Sequence, residues 1–88
     1  MGEGSGIMHE FAITKKLIED AYKLMKKNKG TKLTKMVVEF KDGHVEPREL
    51  ELLLKELSVD TPLEGAKFVA KKKGSTGCEF KITEIDVE

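Results

Sequence analysis

The sequence predicts an α+β domain: two helices packed on one face of a three-stranded sheet, in the order α-β-α-β-β. Three observations carry this. Two stretches repeat apolar residues near the 3.6-residue period, and three shorter stretches alternate them. Glycine, proline and Asp-Gly punctuation separates all five. With 88 residues there is chain for one small domain and one core.

The first helix is expected over residues 9–28. Phe11, Leu17, Ile18, Ala21, Leu24 and Met25, with Thr14 between them, form one stripe. Glu10 near its start and Lys26, Lys27 and Lys29 near its end complement the helix dipole. Gly30 is the expected left-handed residue that closes it. Leu33 to Phe40 reads as a strand, with Met36, Val38 and Phe40 on one face and Val37 and Glu39 on the other. Asp42-Gly43 marks a turn.

The second helix is expected over residues 47–58. Pro47 suits a first helical position, with Glu46 and Glu49 at the N-terminus. Leu50, Leu53, Leu54 and Leu57 make the cleanest helical stripe in the chain, and Leu52 points off it. Pro62 forbids continuation. In the last two strands Ala66, Phe68 and Ala70 alternate with Lys67, Val69 and Lys71, and Phe80 and Ile82 alternate with Glu79, Lys81 and Thr83. Gly74-Ser75-Thr76-Gly77 between them reads as a hairpin connection. After Ile82 the apolar parity slips by one, to Ile85 and Val87, and a bulge near Thr83-Glu84 would repair it. The strand–helix–strand unit should cross over right-handed.

Hydrophobic residues make up 39% and charged residues 36%, with 16 basic against 16 acidic side chains. This is the composition of a soluble globular chain. No apolar run approaches the ~20 residues that span a bilayer. A single cysteine excludes an internal disulfide and a Cys-x-x-Cys zinc site. The balanced charge hides a pattern. Residues 15–41 carry nine lysines against Glu19, Asp20 and Glu39, whereas residues 46–64 carry six acids against Arg48 and Lys55. Lys71, Lys72 and Lys73 form a further basic cluster, which raises a nucleic-acid or polyanion-binding alternative. One arginine and five aromatic residues, with Phe11, Phe40, Phe68 and Phe80 assigned to the core, leave no stacking platform, so nucleic acid is not the expected partner.

His9 and His44 lie far apart and read as solvated or capping residues. Cys78, at the start of a strand, reads as a small, partly buried apolar residue. No phosphate loop, nucleotide fingerprint or carboxylate pair occurs at a recognisable spacing, so no enzyme is expected.

Met8-His9-Glu10-Phe11-Ala12-Ile13, opening a helix, resembles the start of the HypA family, the nickel-incorporation proteins of hydrogenase maturation. Glu39 to Leu50 (EFKDGHVEPREL) is similar to that family's passage from first strand to second helix. Leu63-Glu64-Gly65-Ala66-Lys67 resembles its entry into the second strand, and Phe80 to Glu88 its final strand. The resemblance covers residues 8–88 as one domain and leaves residues 1–7, Met-Gly-Glu-Gly-Ser-Gly-Ile, as a flexible leader or expression remnant.

The resemblance implies a cytoplasmic metallochaperone domain for nickel delivery, with a nickel-handling GTPase and a hydrogenase subunit as partners and no membrane. Met8, His9 and Glu10 would hold Ni(II), His9 through its imidazole and the others through amine or backbone nitrogen. The family's zinc domain, inserted between the last two strands, has no counterpart here, so no zinc is expected. The remaining alternative is a relative in fold only, acting in protein interaction.

Overall fold

The computed structural model describes the backbone of residues 2–88 and the side chains of residues 11–88. Its elements are α1 (Gly2–Lys27), β1 (Leu33–Lys41), α2 (Pro47–Leu57), β2 (Lys67–Gly74) and β3 (Glu79–Val87). This is the expected α-β-α-β-β order. The end of α1 falls within one residue of expectation, but its start does not: the helix begins at Gly2, seven residues before the expected residue 9 and within the stretch read as a leader.

β1 is the central strand, pairing parallel with β2 and antiparallel with β3 in the order β2-β1-β3. The parallel β1·β2 pair is what the expected crossover through α2 requires. The hairpin expected between the last two strands is not formed. β2 and β3 flank β1, and residues 75–78 cross the end of β1 instead. Burial explains the choice. β1 carries Leu33, Met36, Val37, Val38 and Phe40, all 5% exposed or less, and the most apolar strand gains most from neighbours on both edges.

Met36, Val38 and Phe40 meet Leu17, Ala21 and Met25 from α1, Leu50 and Leu54 from α2, and Ala66, Phe68 and Ala70. The leucine stripe of α2 is in the expected phase. Leu50 and Leu54 are buried, Leu53 and Leu57 half-buried, and Leu52 is 56% exposed. Pro47 opens α2, and Glu49 Oε1 accepts the Glu46 N–H at 3.3 Å. The bulge expected near Thr83-Glu84 is present. Val37 pairs with Glu84 and Val38 with Ile82, so Thr83 is the extra residue. It returns Ile85 and Val87 to the core side, where both pack against the cluster with Phe80 and Ile82.

Two expectations need correction. The left-handed residue after α1 is Lys29, with φ 60°, and not Gly30. Gly30 follows it, donating its N–H to Met25 O at 2.9 Å while Lys29 N–H reaches Lys26 O at 3.0 Å. The glycine is required for close approach: a Cβ there would lie 2.6 Å from Val87 Cβ. Phe11 is 43% exposed rather than in the core. Among the described side chains of α1 the first buried one is Thr14, nearly a turn after Phe11.

Candidate metal site

The side chains of Met8, His9 and Glu10 lie outside the described residues, as do those of residues 1–7. The first part of α1 that can be followed in contact is Ile13, Lys16, Leu17 and Asp20. With Cys78 and Phe80 these line a pocket of about 200 Å³. This stretch of α1 therefore sits against the start of β3, beside the segment that crosses from β2.

That crossing is built on the Asp42-Gly43 turn. Asp42 is 3% exposed. Its N–H donates to Gly74 O at 3.1 Å, and its Oδ1 accepts the His44 N–H at 2.8 Å, which closes an Asx turn. The Ser75 carbonyl lies over Gly43 so closely that a Cβ there would stand 2.8 Å from Ser75 O. Cys78, expected to be partly buried, is exposed at the end of this crossing. Its thiol is nonetheless pushed up from its usual pKa, first by desolvation, then by the Asp42 charge and by a hydrogen bond to Asp42. A raised thiol is the reverse of what a nucleophile needs.

His44 has an exposed side chain and meets the turn only through its backbone. Among the described residues no group of three or more His, Cys, Asp or Glu side chains is placed to hold a metal ion. Sequence reasoning passed over Asp42 as a turn residue. A buried aspartate that fixes one turn and meets the thiol at the next is visible only once β2 and β3 are placed on either side of β1.

The basic cluster does not form one patch. Lys71 is exposed and lies opposite Glu39 in the sheet. Lys72 turns to the α2 side, where its Nζ is 3.5 Å from Glu46 Oε2. Lys73 lines a shallow cleft with Glu39, Lys41, Glu79 and Lys81. The bulge between Phe40 and Lys41, which leaves Lys73 without a partner in β1, adds to the dispersal. Among the described residues no helix is long and apolar enough to cross a membrane. No protein-family model matches the chain, and no curated protein matches its sequence.

Proposed function

We propose that residues 8–88 are a nickel-binding domain of the HypA type, without the zinc domain, which hands Ni(II) to a partner protein and catalyses no reaction. One observation supports this most. The two strands that the family separates by its zinc domain end on either side of β1 at the same end of the sheet, joined by four exposed residues, 75–78. A domain could be present or absent at that link without changing any strand pairing. The Met8-His9-Glu10 motif precedes, by a single helical turn, the part of α1 that packs beside this link.

The chemistry of the donors fits the cargo. An α-amine on Met8, backbone amide nitrogen and the His9 imidazole make a nitrogen set suited to tetragonal Ni(II). The amine is a donor only when Met8 begins the chain, because with residues 1–7 attached its nitrogen is an amide. Binding releases protons from amide nitrogen, so affinity rises with pH.

The test compares chains beginning at Met1 and at Met8 by calorimetry and by the visible absorption of nitrogen-ligated Ni(II). The chain beginning at Met8 should bind one nickel, and the chain beginning at Met1 far more weakly. In the Met8 form His9→Ala should abolish binding, and His44→Ala should leave it nearly unchanged. Equal binding by both forms would overturn the terminal-amine mechanism. Absence of binding by either would leave a relative in fold only.

A further inference from the structure

We infer that β3 is a self-pairing edge, and that its partner is the β3 strand of a second copy of this chain, laid antiparallel about a twofold axis between Ile82 and Thr83. β3 pairs with β1 along one side only, and no further strand lies on its other side among the described residues. Beside it a groove of about 480 Å³ runs between α1 and the strand, lined by Leu17, Leu24, Phe80 and Ile82 and by as many charged residues. Phe80, Ile82, Ile85 and Val87 face this side and remain only half-buried. An unpaired edge with apolar side chains beneath it is a template for another strand.

The bulge selects the partner. An ordinary strand laid along β3 would lose register at Thr83, the extra residue. A second copy carries the same extra residue at the same place. About the proposed axis Ile82 lies opposite Thr83 of the second copy, and Thr83 opposite its Ile82, so register is kept on both sides. The faces then match. Phe80 falls opposite Ile85 of the second copy, both on the helix side, and Lys81 opposite its Glu84, both on the open side. In an unbulged strand those pairs would point to opposite faces.

Charge agrees at the centre, where two Lys81–Glu84 pairs form. At the ends Glu79 falls opposite Asp86 of the second copy. Lys41 Nζ is 4.0 Å from Glu79 in its own chain, whereas Lys35, the β1 register partner of Asp86, extends its Nζ to Glu84 Oε2 at 3.3 Å, so Glu84 is shared between Lys35 and Lys81 of the second copy. The product is isologous and closed, with a continuous six-stranded sheet and helices on one face.

The test is sedimentation equilibrium of the full chain from micromolar to millimolar concentration, with reductant present so that Cys78 cannot cross-link copies. The mass should rise with concentration from 9.9 kDa towards twice that value. Lys81 and Glu84 are both exposed, and reversing Glu84 removes only an exposed ion pair, to Lys35 at 3.3 Å, so the fold is retained, as circular dichroism will show. Lys81→Glu or Glu84→Lys alone should weaken association about tenfold or more, since each places two like-charge pairs at the centre. The double swap should restore it. A monomer at every concentration would overturn the inference. So would a dimer indifferent to the single reversals, or one that the double swap fails to recover.

Discussion

The two edges of this sheet are built from strands of similar length and similar alternation, and they are finished differently. On β2 the inward residues Phe68 and Ala70, and Ala66 just before the strand, are each 8% exposed or less, because α2 lies over the strand. The β2 backbone is also covered: Glu51 of α2 accepts the Ala70 N–H at 2.9 Å. On β3 the inward residues Phe80, Ile82, Ile85 and Val87 stay half-buried, although Phe80 stacks parallel on Phe40 at 5.3 Å between centroids. The cause lies in the helices. α2 turns leucines towards the sheet, whereas α1 brings Asp20 and Lys23 as well as Leu17 and Leu24 to the β3 side. Charged side chains keep a groove hydrated where leucine would close it.

The largest expected effect measures that difference directly. Phe68→Ala should cost about 3–5 kcal/mol, and Phe80→Ala clearly less, about 1–2 kcal/mol, because Phe80 starts half exposed. Urea unfolding reads both, and equal losses would mean that β3 is as well covered as β2. Leu54→Ala should cost about 2–5 kcal/mol beside a small change for Leu52→Ala, and equal losses there would place α2 in the wrong phase.

Next come the close approaches. Gly30→Ala drives a Cβ into Val87 of β3. Gly43→Ala drives one into the Ser75 carbonyl. Each should cost about 1–3 kcal/mol. Neither is easily relieved, since one Cβ meets a β-branched carbon fixed to the Val87 backbone and the other a backbone carbonyl. A smaller effect is expected for Glu51→Ala, about 1–2 kcal/mol, from losing the carboxylate on the Ala70 N–H. Hydrogen exchange should speed at Ala70 while the amides of β3 are unaffected. Speeding along both edges would show that Glu51 supports the whole sheet rather than one edge.

The smallest effect is a pH shift at the crossing between the edges. The folded Cys78 thiol holds its proton to higher pH than a free cysteine. Its alkylation at neutral pH should therefore be slower than in the unfolded chain, and should accelerate at a pH above the ordinary thiol range. Asp42→Asn removes the carboxylate charge and should move that profile back down. A profile unchanged by Asp42→Asn would leave desolvation as the whole cause.

Local pattern in this chain determines the elements. The leucines of α2, the Pro47 start, the alternation of Phe68 with Ala70 and the parity slip after Ile82 each report a period, and a period depends only on near neighbours along the chain. The slip even locates the Thr83 bulge, because apolar side chains must return to one face. Tertiary structure decides what depends on distant partners. It places β1 between β2 and β3, since the most apolar strand gains most from being covered on both edges. That order turns an apparent hairpin into a crossing, buries Asp42 beneath it and sets the Asp42 carboxylate beside Cys78. It also fixes the use of Gly30, which the sequence marks as a turn glycine and which Val87, 57 residues further on, requires to have no side chain.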